Sequence, residues 1–78
     1  MGAWFMDEAE RAALAANLKL QRLRHGWSQY DLATASGIHQ PDISDIERRD
    51  PTINPTMEKL RALAKALDTK VIDLLRSP

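Results

Sequence analysis

Apolar residues recur along this chain at steps of three and four, the spacing of a buried helix face, and no stretch alternates apolar with polar as a half-buried strand does. The clearest series is Met57, Leu60, Leu63, Ala64 and Leu67, which predicts one helix with these side chains on a common face. Asp68-Thr69 breaks the series, and Val71, Leu74 and Leu75 suit a short helix after it. Leu14 and Leu18 lie one turn apart in an alanine-rich segment that predicts a first helix. Asp7 caps its start, with Glu10 three residues on as a reciprocal cap requires. Gly26 ends it, and Arg22, Arg24 and His25 fill the last turn, where positive charge suits the helix dipole. Residues 1–6 read as an arm carrying Trp4 and Phe5.

Between these helices the punctuation is dense. Ser28 followed by Asp31 starts a second helix, and Gly37 stops it after Leu32, Ala33 and Ser36. Pro41 lacks an N–H and therefore sits in the first turn of a third helix, reaching about Arg48 with Ile43 and Ile46 inward. Asp50-Pro51 and Asn54-Pro55 make residues 49–56 a loop. The prediction is five short helices around one core in a single domain over residues 1–78, with residues 28–36 and 40–48 meeting near Gly37 as a helix-turn-helix unit.

Composition narrows the function classes. A chain of 78 residues buries only roughly 60% of its unfolded surface, leaving little room for a catalytic pocket beside a core. It has no cysteine, so disulfides and thiolate zinc sites are excluded. His25 and His39 have no carboxylate at metal-ligand spacing, and nothing arranges serine, histidine and aspartate as a triad, so no metal site, cofactor or catalytic residue is expected. The run Ala3-Trp4-Phe5-Met6 is shorter than the about 7 residues of a signal peptide or the about 20 of a membrane helix, and the chain reads as cytoplasmic with no membrane partner. Eleven Lys and Arg balance eleven Asp and Glu, so any basic footprint must come from placement.

The ordered set Leu18, Arg22, Gly26, Ser28-Gln29, Leu32-Ala33, Gly37-Ile38, Gln40, Ile43-Ser44, Ile46-Glu47, Pro55, Leu60, Leu63-Ala64, Ala66-Leu67 and Leu74-Leu75 resembles the lambda-repressor-like (XRE or Cro-repressor) helix-turn-helix family. The resemblance implies an all-α, five-helix lambda-repressor-like domain and a transcriptional regulator, a repressor acting on double-stranded DNA as a homodimer. It implies that Gln29 contacts a phosphate and braces the recognition helix, and that Gln40 reads a base; capping the helix or pointing at solvent are the alternatives for Gln40. It implies a partly buried salt bridge between Arg22 and Glu47, with a phosphate contact by Arg22 as the alternative. Pro41, Ser44 and Asp45 fall at base-facing positions, and His39, Arg48 and Arg49 at phosphate-facing ones, a solvated face being the alternative for the two arginines. Trp27 takes an apolar position of the core. The last helices, through Val71, Leu74 or the turn 68–70, are expected near a two-fold axis, with Trp4 and Phe5 as a second pairing surface.

The chain departs from the family pattern in places. Pro41 offers no side-chain hydrogen bond, and Asp42 and Asp45 put negative charge on the recognition helix. Asp45 accepts from cytosine N4 in one reading and repels phosphate in the other. Arg49 stands where relatives have glycine. Two further readings share the fold: a DNA-binding antitoxin, with a toxin protein as partner, and a protein-interaction module that has lost DNA binding, motivated by neutral charge and an acidic recognition helix.

Overall fold

The computed structural model describes residues 6–77. Its five helices are α1 (Glu8–Arg24), α2 (Gln29–Ser36), α3 (Gln40–Glu47), α4 (Met57–Ala66) and α5 (Val71–Leu75), with no strand among the described residues.

Local chemistry sets most of the boundaries. The Asp7 carboxylate accepts from Glu10 N–H at 2.7 Å while Asp7 N–H donates back to Glu10 at 3.1 Å. Ser28 and Asp31 repeat the exchange at α2, at 3.0 and 2.9 Å. Each exchange satisfies two amides that would otherwise lack partners. Thr56 Oγ1 accepts from Lys59 N–H to open α4, a cap the sequence reading did not identify. Three helices end alike, with a residue in the left-handed region and the next amide bonding back five residues. Gly26 does this for α1 at φ +71°, Arg49 for α3 at +59° and Asp68 for α4 at +55°. Glycine adopts this conformation at no steric cost, whereas arginine and aspartate carry a Cβ against it.

The core is continuous. Leu14 and Leu18 of α1 meet Leu32, Ile43, Ile46, Leu60, Leu63, Leu67 and Leu74, and Trp27, Ala33 and Ile38 are half-buried against them. Helix α1 packs on α3 and α5, and α2 packs on α3 and α4, so α3 is held from two sides. Met57 shares the apolar face of α4 yet is 38% exposed. Met6, read as part of the arm, is buried in the core, and its N–H donates to Asn54 Oδ1 at 3.1 Å. Leu74 is buried within the chain's own core, which removes it from the expected pairing surface.

Asn17, buried in α1, donates its amide Nδ2 to the carbonyls of Asp73, Leu74 and Arg76 at 3.1, 3.0 and 2.7 Å. These are end groups of α5, a helix too short to bond them itself. Asn17 therefore pins the last helix to the first. No helix among the described residues is long and apolar enough to cross a membrane.

Candidate nucleic-acid interface

The α2–α3 unit is set by its turn. Gly37 at φ +77° reverses the chain, and Ile38 N–H donates to Ser36 Oγ at 3.1 Å. His39 then caps α3 through its backbone only, its side chain exposed and making no cap hydrogen bond. Ile43 and Ile46 fix the inner face of α3. At about 3.6 residues per turn the opposite face carries Pro41, Ser44, Asp45 and Arg48. Gln40 lies on the edge toward α2, and Asp42 on the edge toward α4.

A chain of hydrogen bonds runs from this surface into the core. Gln40 Nε2 donates to Gln29 Oε1 at 2.8 Å. Gln29 Nε2 donates to Glu47 Oε1 at 3.2 Å. Glu47 also accepts from Arg22, whose Nε meets Oε2 at 2.8 Å and whose Nη2 meets Oε1 at 2.9 Å. Arg22 Nη1 closes the chain on the Trp27 carbonyl at 2.8 Å. The Arg22 and Glu47 side chains are only 9% and 6% exposed, so the expected salt bridge is present and Arg22 is not free for phosphate. The hydrogen bonds that Arg22 donates to Glu47 raise the guanidinium pKa beyond its already high ordinary value, against the opposing effect of burial. Donors and acceptors match at every link, which fixes the amide of Gln29. Gln40 then keeps its Oε1 and one N–H uncommitted in this chain, the pair that adenine N6 and N7 accommodate.

The charged residues are paired more than the sequence suggested. Arg48 binds Asp45, Arg49 Nη2 reaches Glu8 at 2.9 Å, and Lys59 Nζ meets Asp42 at 3.3 Å. The acids of α3 are thus neutralised locally. The three-residue spacing of Asp45 and Arg48 signals their pair. The Glu8 and Lys59 contacts are tertiary and leave no local sign. Arg11 was also missed: its Nη1 donates to the carbonyls of Ile53 and Asp50, clamping the α3–α4 loop onto α1. Within that loop Asp50 accepts from Thr52 Oγ1 at 2.7 Å and Thr52 N–H at 2.9 Å, and these bonds hold its carboxyl below the usual carboxylate range. Gln29, Gln40, Ser44 and Asp45 are half-buried, while His39, Pro41, Arg48 and Arg49 are exposed. Trp4 and Phe5 lie outside the described residues. No group of three or more His, Cys, Asp or Glu among the described residues is placed to hold a metal ion.

A family model described as helix-turn-helix matches residues 18–74. The chain is similar to a "Neisseria hypothetical transcription factor" of Neisseria meningitidis serogroup B, 36% identical over 73 residues that cover 92% of this chain and 67% of that protein. It is also similar to "Control protein C.SmaI" of Serratia marcescens, 42% identical over 71 residues covering 91% of this chain and 80% of that protein. Among solved structures, the crystal structure of the hypothetical transcription factor NHTF from Neisseria matches with a TM-score of 0.80 at 34% identity, over 100% of this chain and 88% of that one.

Proposed function

This chain belongs to the helix-turn-helix family and is a DNA-binding transcription regulator, and from that premise we propose that it is a sequence-specific repressor acting in the cytoplasm as a homodimer, with no catalytic step. Helix α3 enters the major groove. Gln40, Pro41, Ser44 and Asp45 face base edges, and Gln29, His39, Arg48 and Arg49 face phosphates. The observation that carries this reading is the hydrogen-bond chain from Gln40 through Gln29 and Glu47 to Arg22. It presents a polar side chain at the N-terminus of an exposed helix with its orientation already set, which reduces the entropy lost on binding.

One short helix reads few base pairs, so a two-fold dimer on half-sites about 34 Å apart supplies the rest. Val71 and the turn 68–70, beside the exposed Ile72, form the pairing surface in this reading. The interaction-module alternative drew on the neutral net charge and on the acids of α3; the pairing of Asp42 with Lys59 and of Asp45 with Arg48 weighs against the second of these.

The test separates base contacts from phosphate contacts. Gln40→Ala lowers affinity for the preferred site by about 1–3 kcal/mol and relaxes its preference at one position. Arg48→Ala weakens binding to all sequences alike and reduces the salt slope by about 1. Two variants that bind every DNA as the wild type does would refute the proposal.

A further inference from the structure

We propose that Pro41 reads the C5-methyl group of a thymine in the base pair next to the one that faces Gln40. The inference rests on the base-reading role of Gln40 proposed above and adds a second recognised group to the same half-site.

Pro41 is exposed, is the second residue of α3, and stands at the N-terminal end of the face opposite Ile43 and Ile46. The first turn of a recognition helix is the part that comes closest to base edges. Gln40 is tied to Gln29 at 2.8 Å, which holds its side chain on the edge toward α2 and leaves Pro41 at the start of the outer face. At about 100° of rotation and about 1.5 Å of rise per residue the side chains of Gln40 and Pro41 diverge from the helix axis, and with base pairs stacked about 3.4 Å apart they meet neighbouring base pairs rather than the same one.

The side chain then decides what it recognises. The pyrrolidine ring is apolar and rigid, and it has no N–H to donate. Against guanine N7 and O6, or against cytosine or adenine amino groups, it displaces water and returns no hydrogen bond. The thymine methyl is the one apolar group in the major-groove code. Pro41 thus favours thymine by contact and disfavours the other bases by desolvation. A proline also suits the first turn of a helix for backbone reasons, so the test must isolate the methyl group.

The experiment is a two-by-two cycle. A preferred operator is selected from random DNA, and the adenine read by Gln40 is located as the position whose preference relaxes in Gln40→Ala. Thymines in the adjacent base pair are then replaced by deoxyuridine, which removes only the methyl. Affinities are measured for wild type and Pro41→Ala. Wild type loses about fourfold per half-site, or roughly fifteenfold when both half-sites are changed, the value of burying about one methyl. Pro41→Ala, which keeps only its Cβ as an apolar contact, loses clearly less than wild type when thymine is replaced by deoxyuridine. Replacing the T·A pair by 5-methylcytosine·G restores part of the affinity that cytosine·G loses, because the methyl returns. An adjacent pair without thymine, a deoxyuridine site bound as tightly as the thymine site, or an equal loss in wild type and Pro41→Ala would each overturn this inference and leave the role of Gln40 intact. Absence of any preferred operator would overturn both.

Discussion

Arg49 occupies a position whose backbone suits glycine, and exchanging it tests how the recognition helix is terminated. Its φ of +59° comes with the two hydrogen bonds that close α3, Arg49 N–H to the Ile46 carbonyl at 3.1 Å and Asp50 N–H to the Asp45 carbonyl at 3.2 Å. A residue with a Cβ pays about 1–2 kcal/mol for this conformation. Arg49 recovers some of that through Glu8, but those side chains are 52% and 70% exposed, and such a pair contributes about 0.2–1 kcal/mol. The informative comparison is Arg49→Gly with Arg49→Ala, because both delete the ion pair and only one relieves the strain. The greater freedom of glycine in the unfolded chain returns about 0.4–1 kcal/mol, so the glycine variant should be the more stable by about 0.5–1 kcal/mol. In a domain this size that is roughly 2–8 °C in melting temperature. Thermal unfolding followed by circular dichroism reads it directly. Arg49→Gly should also bind all DNA sequences more weakly, since the proposed phosphate contact is gone. Equal melting temperatures for the two variants would show that the left-handed backbone costs no more than the about 0.4–1 kcal/mol that glycine loses to its freedom in the unfolded chain, and would refute the reasoning.

Glu47→Ala leaves the Arg22 guanidinium buried and unpaired and should cost about 3–5 kcal/mol in urea unfolding, with a loss below about 0.5 kcal/mol as the contrary result. Asn17→Ala should cost about 1–3 kcal/mol and raise hydrogen exchange of α5 amides before those of α1; unchanged protection of α5 would contradict the pinning role. The lowered carboxyl pKa of Asp50 means that its contribution to stability is present above the ordinary carboxylate range and is lost as pH falls through the lowered value. The melting-temperature gap between wild type and Asp50→Asn should therefore close on strong acidification, and a gap that persists would count against the Thr52 bonds as its source.

The parts of the fold written in local chemistry were legible. Asp7 with Glu10 and Ser28 with Asp31 are paired caps within four residues, and Gly37 and Pro41 bracket the turn. Inward positions followed from helical period, as for Ile43 and Ile46. Period alone does not give the depth of a side chain: Met57 shares the apolar face of α4 yet is 38% exposed. Met6 was misread because its burial depends on the α3–α4 loop folding back over it. Side-chain partners separated by many residues, such as Asn17 with α5, Arg11 with the loop and Lys59 with Asp42, leave no spacing signal. Arg22 and Glu47 were legible only through family resemblance.

The central claim, that α3 reads DNA sequence, is tested most directly by selecting bound duplexes from a random library at low salt with the wild-type chain. The account predicts enrichment of one two-fold symmetric site, with half-sites about 34 Å apart and an adenine whose enrichment disappears when the selection is repeated with Gln40→Ala. Recovery of unenriched DNA by the wild type, or the same enriched site from wild type and Gln40→Ala, would contradict it.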